Sequence, residues 1–85
     1  MHILYFAWLK TRTGLAEEDV TPPASVTTVA GLLDWLRTRT PGHGEALKDI
    51  SLVRVAVNQE FARPDTPVAA SDEVALFPPV TGGAP

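Results

Sequence analysis

The sequence predicts an α+β domain, in which a mixed sheet of about five strands carries one main helix packed on one face. Three observations favour this fold class. Apolar stretches of strand length recur along the chain, and only residues 29–36 show the spacing of an amphipathic helix instead. The 85 residues are enough for one domain with one hydrophobic core.

The chain opens with two predicted strands. Residues 2–9 are almost continuously apolar, which is typical of a strand that is covered on both faces and lies centrally in its sheet. Residues 11–14 are polar and end in glycine, so we expect a turn there. Residues 15–21 form a weaker strand, and its acidic run Glu17-Glu18-Asp19 indicates a solvated edge strand, because charge discourages edge pairing.

The main helix follows two prolines. Thr27 or Thr28 can cap it, because a threonine hydroxyl accepts a hydrogen bond from a free amide of the first turn. Pro41-Gly42 is expected to end it. Trp35 lies beside the apolar stripe and either packs at the edge of the core or contacts a partner. The stripe has the i, i+3, i+4, i+7 pattern of a helix: Val29, Leu32, Leu33 and Leu36.

The second half of the chain predicts three more strands. Residues 44–50 read as a loop or a short helical turn. Residues 52–57 alternate, with the three valines on one face, and Asn58-Gln59 turns the chain into a short strand at 60–62. Asp72 is expected to fix the turn before a last strand at 73–77. Pro78-Pro79 ends that strand, because proline cannot donate to a ladder.

This order of elements packs most simply as one helix across one face of a mixed sheet, which is the β-grasp. We therefore expect a β-grasp domain at residues 1–77 and a flexible C-terminal tail at residues 78–85.

Composition and spacing exclude several functions. The net charge is -3 and the basic residues are scattered, so nucleic acid is not an expected partner. The chain has no cysteine, which excludes a disulfide, a thiolate nucleophile and a cysteine metal site. His2 and His43 are far apart in sequence, and we interpret both as surface or strand residues rather than metal ligands. Asp72 and Glu73 are neighbours on a strand and point to opposite faces, so they form no acid–base pair.

No bound metal or cofactor is therefore expected. No stretch of the sequence could span a bilayer, and the start lacks the features of a signal peptide, so we expect a cytoplasmic protein with no membrane partner.

The C-terminal segment is the one unusual feature. Pro78 and Pro79 hold the backbone extended, and Gly82-Gly83 follow almost at the end of the chain. Six residues, 78–83, can reach about 20 Å when extended. Glycine has no Cβ, so this segment suits a tunnel too narrow for other residues, and a terminal carboxylate at its tip would be a reactive group. The alternative is a frayed terminus.

The run Phe77-Pro78-Pro79-Val80-Thr81-Gly82-Gly83, preceded by Asp72-Glu73-Val74-Ala75, resembles the C-terminal signature of the small subunit of molybdopterin synthase. Val57-Asn58-Gln59 and the opening Ile3-Leu4-Tyr5-Phe6-Ala7 are also similar to that ThiS-like, ubiquitin-related family of sulfur carriers. The resemblance covers nearly the whole chain, and its terminal motif is the specific part.

The resemblance implies a ubiquitin-like fold and a function for the tail. Gly83 would be activated with ATP as an acyl-adenylate on a ubiquitin-activating-like adenylyltransferase, and a sulfur donor would convert it to a thiocarboxylate. The tail would insert into the large catalytic subunit of the synthase and give sulfur to cyclic pyranopterin monophosphate, in a heterotetramer of two small and two large subunits. Alone, the chain would catalyse nothing. The inserting residues would be Pro78, Pro79, Val80, Thr81 and Gly82.

Phe77 would contact both partners through its apolar ring, or it would serve only core packing. Ala84-Pro85 departs from the family pattern, which ends at the second glycine. We therefore expect a processing protease to remove these two residues; otherwise the chain is inactive as encoded. Three other functions stay open: a sulfur carrier for thiamine or tRNA thiolation, a ubiquitin-like modifier joined to lysines, and an interaction domain with an inert tail.

Overall fold

A computed structural model describes residues 1–79 and contains one five-stranded sheet. The strand order is β2-β1-β5-β3-β4, in which β1 and β5 are parallel and all other neighbours are antiparallel. The strands are β1 (His2–Tyr5), β2 (Glu17–Asp19), β3 (Arg54–Val57), β4 (Glu60–Phe61) and β5 (Glu73–Phe77). The helices are α1 (Trp8–Thr13), α2 (Val29–Arg37), α3 (Pro41–Ala46) and a short 3-10 helix, Ile50–Leu52.

The main helix, α2, lies on one face of this sheet, as predicted. The Thr28 hydroxyl caps it by accepting a hydrogen bond from the Gly31 amide at 3.2 Å. Its stripe of Val29, Leu32, Leu33 and Leu36 is buried in one core with the inward side chains of β1, β3 and β5. Burying a side chain of this size contributes about 2 kcal/mol relative to leaving it exposed. The predicted β-grasp is therefore confirmed.

The first predicted strand was too long. β1 ends at Tyr5, and residues 8–13, which include three of the four residues of the turn expected at 11–14, form α1. The break is at Ala7, whose φ of 54° is a conformation that a strand cannot contain. Gly14 then ends α1 in the left-handed region, with φ 80°. β1 is interior to the sheet, as expected, but only one of its faces is fully covered, since Leu4 is half-buried.

Pro41-Gly42 does not end α2, contrary to the prediction. α2 ends at Arg37, and Pro41 opens α3. Proline is tolerated in a first turn because its missing N–H would have no partner there. The Thr40 hydroxyl caps α3 by accepting from the His43 amide at 3.2 Å. A Cβ at Gly42 would lie 2.6 Å from the Arg12 carbonyl, so α1 and α3 pack closely at that point.

The later strands are close to the predictions, although β3 begins at Arg54 rather than at residue 52, where the 3-10 helix ends, and β4 ends at Phe61 rather than at residue 62. β5 has the predicted bounds, and Val53, just before β3, and Val55, on β3, are buried on the same face. Asn58 and Gln59 have φ of 51° and 70°, as a tight two-residue hairpin requires. β2 is an edge strand, as its acidic run indicated. Trp35 is half-buried against the core, with the Arg39 guanidinium 4.9 Å from its ring centroid.

Candidate functional site

The root of the predicted tail is held by the centre of the sheet. β5 pairs with β1 on one side and with β3 on the other, and its last residue, Phe77, is in register with Arg54. Pro78 and Pro79 follow, both half-buried, and neither can extend the ladder. The chain is therefore anchored firmly up to Phe77. Of the residues predicted to insert or to carry the chemistry, four lie outside the described residues 1–79: Val80, Thr81, Gly82 and Gly83. Ala84 and Pro85, which a protease is expected to remove, also lie outside them.

Three phenylalanines lie on the outer face of the sheet, opposite the helices. The rings of Phe61 and Phe77 are tilted, with centroids 6.0 Å apart, and Phe61 is 86% exposed. Phe6 follows β1, donates from its amide to the Leu76 carbonyl at 3.1 Å and is 49% exposed. We call Phe6, Phe61 and Phe77 the aromatic surface. Such exposure of large apolar side chains beside one another is typical of a protein-binding surface.

The floor next to this surface is flat and apolar. Leu4, Ala75 and Ala56 are in register across β1, β5 and β3, and Ala56 pairs with Phe61 on β4. Directly paired residues share one face of a sheet, so all four lie on the outer face. Small side chains in the middle of this row leave room for a partner to approach the sheet.

The sequence reasoning identified Phe77 but missed Phe6 and Phe61. Phe61 could have been found from the Asn58-Gln59 turn, because a two-residue hairpin fixes which residues pair and thus which face Phe61 occupies. Phe6 was counted as part of a buried strand, since the break at Ala7 has no signal in the sequence.

Two motifs noted in the sequence meet at the other end of β5. The Asn58 side-chain amide donates to Asp72 Oδ1 at 3.0 Å, and Asn58 Oδ1 accepts from the Glu73 amide at 3.0 Å. Asp72 Oδ2 accepts from the Ala69 amide at 2.7 Å. Asp72 therefore fixes the turn before β5, as predicted. The motifs that resemble the small subunit of molybdopterin synthase therefore position β5, the strand that precedes the predicted tail.

The two histidines lie in separate clusters on opposite sides of β2. His43 is 2% exposed, so its prediction as a surface or strand residue was wrong: α3 carries it into the core. Glu18 Oε2 accepts from the Tyr5 hydroxyl and lies 2.7 Å from His43 Nε2, and Arg39 lies 3.8 Å from Oε1. His2 lies on the outer side, with Nε2 2.7 Å from Glu17 Oε1 and Nδ1 2.7 Å from Asp19 Oδ1.

These contacts shift several pKa values. Burial acts to raise the pKa of the Glu18 carboxyl, but the hydrogen bonds from His43 and Tyr5 and the charge of Arg39 outweigh burial and hold this pKa below 4.5. The hydrogen bonds to Asp19 and Glu17 raise the pKa of His2 above 6.5. Burial, followed by the bond to Glu18, raises the pKa of the Tyr5 hydroxyl.

The polar atoms of the buried cluster are all partnered within the fold. His43, Glu18 and Tyr5 satisfy one another inside the fold, and no buried side-chain polar atom of residues 1–79 lacks a partner. The part of the chain that the structure describes contains no group of three or more acidic, histidine or cysteine side chains placed to hold a metal ion. None of its helices has the length and apolar character that a membrane span requires.

Comparison with known proteins agrees with the geometry. The model of the ThiS family matches residues 3–83. The chain is 37% identical over 81 residues to the molybdopterin synthase sulfur carrier subunit of Escherichia coli K12, covering 95% of this chain and 96% of the relative. It is 35% identical over 86 residues to the protein of the same description from Pyrenophora tritici-repentis, covering 95% of this chain and 87% of that one.

Among solved structures, SAMP1 from Haloferax volcanii superposes with a TM-score of 0.72 at 33% identity, covering 98% of both chains. A second structure, of small archaeal modifier protein 1 from the same organism, gives a TM-score of 0.73 at 31% identity, covering 94% of this chain and 97% of that one. These matches extend over nearly the whole length of each chain. The chain therefore belongs to the ThiS family and has the β-grasp fold of its ubiquitin-like structural relatives.

Proposed function

We propose that this chain is the sulfur-carrier subunit of a molybdopterin synthase. The observation that carries the proposal is the anchored root at Phe77, flanked by the aromatic surface and followed by the Pro-Pro-Val-Thr-Gly-Gly sequence. Relatives described as molybdopterin synthase sulfur carrier subunits support the same function. The chain itself would be a carrier and not a catalyst, as the description of these relatives as sulfur carrier subunits supports.

The proposed chemistry takes place on the main chain, at Gly83. An adenylyltransferase joins the carboxylate to AMP and releases pyrophosphate from ATP. A sulfide equivalent from a sulfur donor then displaces AMP, which leaves a thiocarboxylate. The sulfur attacks a carbon of cyclic pyranopterin monophosphate, and the carbon–oxygen bond at that carbon breaks, so that its oxygen leaves as water or as a phosphate oxygen. Water then hydrolyses the resulting thioester. The sulfur stays on the pterin, and the carboxylate of Gly83 is regenerated. A carrier of this kind needs no cysteine, and this chain has none.

The folded domain and the tail would have different roles. Residues 1–77 would dock on the large catalytic subunit through the aromatic surface, and residues 78–85 would form the tail. Pro78, Pro79, Val80, Thr81 and Gly82 would line the path into the active site. Because a peptide bond at Gly83 cannot be adenylated, a protease would first remove Ala84 and Pro85. We place the assembly, with two copies of each subunit, in the cytoplasm.

Mass spectrometry of the intact chain from its native cells tests the carrier chemistry. We expect a species that ends at Gly83 and has one oxygen replaced by sulfur. Deleting Gly83 should abolish molybdoenzyme activity in those cells, whereas a gene that ends at Gly83 should retain it. A full-length species that supports cofactor synthesis while keeping Ala84 and Pro85 would contradict the proposal.

Docking is tested separately by Phe61→Ser. Since Phe61 is 86% exposed, the fold should persist while binding to the large subunit weakens by about tenfold, which corresponds to about 1.4 kcal/mol. Leu15→Ser is the matched control, because Leu15 is 36% exposed and lies outside the aromatic surface. Equal binding by both variants would remove the aromatic surface from the proposed interface.

A second candidate function is protein modification, which the similarity to small archaeal modifier protein 1 favours. In that case the activated Gly83 would be joined to lysines of other proteins. Gly83-dependent conjugates in cell extracts, together with normal molybdoenzyme activity after deletion of Gly83, would favour this candidate over the synthase subunit.

A further inference from the structure

The outer face of the sheet carries a positive charge beside the aromatic surface. Arg54 is in register with Phe77, and directly paired residues share one face of a sheet, so both side chains lie on the outer face. Arg54 is also the only lysine or arginine in the five strands of residues 1–79. The root of the predicted tail therefore has one guanidinium group next to it on the sheet.

The acidic side chains of the outer face lie at its opposite corner. Glu73 and Asp19 are both in register with His2, and Glu17 is two positions from Asp19 on β2. Alternate residues of a strand share a face, so Glu73 lies on the same face as Phe77. Four positions of β5 separate these two residues, which is about 13 Å along the strand. A partner can therefore cover the arginine and the aromatic surface without covering the acidic corner.

The charge of Arg54 is not neutralised within the described part of the chain. The side chain is exposed, its guanidinium donates to the Ser51 carbonyl at 3.3 Å, and no carboxylate of residues 1–79 forms an ion pair with it. A carbonyl oxygen accepts from one of the five N–H donors and carries no counter-charge. Water solvates the remaining donors in the free chain, but a partner that covers the surface displaces this water. A covered charge without an acidic group opposite it would weaken the complex.

We propose that Arg54 selects the partner of the aromatic surface by pairing with a carboxylate of the large catalytic subunit. This pairing rests on the proposed function, because that function supplies the large subunit as the partner. The planar fork of arginine binds a carboxylate through two hydrogen bonds, so the pair would fix the orientation of docking beside Phe77. A protein with a basic side chain at the same place would be rejected, since two like charges would then meet in the interface.

Calorimetric titration of the full chain with the large subunit tests the pairing. We expect Arg54→Glu to weaken binding about tenfold at about 50 mM NaCl and less at about 500 mM, because salt screens exposed charges. Arg54→Met keeps an apolar stem without the charge, so its affinity should fall between those of Arg54→Glu and the unaltered chain. Amide NMR spectra of the free variants check that the fold is kept.

Lys48→Glu is the matched control, because it changes the net charge by the same amount. Lys48 is exposed, follows α3 and lies outside the strands. Its replacement should leave the affinity for the large subunit within about twofold of that of the unaltered chain, since long-range attraction between exposed charges is weak in salt. An equal loss of affinity for Lys48→Glu and Arg54→Glu would show that only net charge matters.

A charge exchange identifies the carboxylate. Surface aspartates and glutamates of the large subunit are changed to lysine one at a time, and each variant is titrated with Arg54→Glu and with the unaltered chain. We expect one lysine variant to restore the affinity for Arg54→Glu and to weaken that for the unaltered chain, because the two charges have exchanged places. If no lysine variant restores binding, Arg54 has no carboxylate partner and the proposal is wrong.

The outcomes separate this pairing from the function on which it rests. If the unaltered chain does not bind the large subunit, the proposed function fails together with the pairing. If the unaltered chain binds and Arg54→Glu binds equally well, only the pairing is wrong. A change in the Arg54 Nε–H NMR signal on truncating the free chain after Pro79 would also overturn the pairing, because the segment 80–85 would then supply the partner of the arginine.

Discussion

Two histidine–carboxylate clusters lie on opposite faces of the same three-residue strand, β2. Glu18 points inward and accepts hydrogen bonds from Tyr5 and His43, both of which are 2% exposed. Glu17 and Asp19 point outward to His2, and their side chains are 60% and 84% exposed. The chemistry of the two clusters is nearly the same, and the contact distances are all 2.7 Å. They differ in their access to water.

That difference decides what each cluster contributes to stability. When a donor to Glu18 is lost, water cannot readily replace it, because the Glu18 side chain is only 14% exposed. Breaking a buried pair by removing one partner typically costs about 3–5 kcal/mol. When His2 is lost, water solvates Glu17 and Asp19 at once, and exposed ion pairs contribute little. Geometry alone therefore does not measure the importance of an interaction.

The largest expected effect is that of His43→Ala. It removes the donor to Glu18 and leaves a cavity in the core, and we expect a loss of about 3 kcal/mol in the free energy of unfolding, measured with urea. His2→Ala is the matched control from the exposed cluster and should change stability far less. Similar losses for the two variants would show that burial does not separate the clusters.

The second-largest expected effect is that acid reduces the contribution of the buried cluster to the stability of the fold. Because the folded protein holds the pKa of Glu18 below the ordinary 4.5, this carboxylate stabilises the fold above about pH 4.5, and its contribution is lost as pH falls through the lower, folded pKa. Urea unfolding from pH 6 to pH 3 measures the loss.

Glu18→Gln is the control for this dependence, since an amide does not titrate in that range. The variant should be less stable at pH 6 and should show a shallower decline toward acid. An unchanged pH profile would show that Glu18 does not contribute to acid sensitivity.

Tyr5→Phe should have a smaller effect. The ring keeps its edge-on packing against His43, with centroids 5.8 Å apart, and only the hydroxyl that donates to Glu18 is deleted. Removing one such donor to a charged group costs about 1–2 kcal/mol, because His43 and Arg39 still serve the carboxylate. Thermal unfolding measures this loss of stability. A loss as large as that of His43→Ala would mean that the ring itself has moved.

The smallest expected effect is that of the exposed cluster around His2, and its contribution to stability depends on pH in the opposite direction. Since Asp19 and Glu17 raise the pKa of His2, its contribution is complete below about pH 6.5 and is lost as pH rises through the folded pKa. NMR titration of the His2 ring should give a pKa above 6.5 that moves back toward that value as salt is added. A pKa unaffected by Glu17→Gln combined with Asp19→Asn would contradict this cause.

The sequence was sufficient where a local pattern and the tertiary structure agree. The helical spacing at Val29–Leu36 predicted α2, the proline pair marked the end of β5, and the Asn58-Gln59 turn is where it was expected. Each of these signals has a local physical cause, in amphipathic burial, a missing amide or a tolerated positive φ. The C-terminal motif also gave the family correctly, because it is a property of the sequence itself.

The sequence was misleading where the local pattern around a residue did not determine its environment in the fold. Trp8 and Leu9 continue an apolar run, yet they belong to α1, because the chain turns at Ala7 and packs α1 against α3. His43 looked like a surface residue because its partners, Tyr5 and Glu18, are 38 and 25 positions away in sequence, and only the fold brings them together.

The sequence by itself determined the fold class and the family, because these depend on periodicity, proline placement and a short motif. Only the tertiary structure decided that Phe6, Phe61 and Phe77 lie together and that His43 is buried. Those features depend on strand register and on the packing of α3, which set contacts between residues distant in the chain. Residue spacing alone does not encode such contacts.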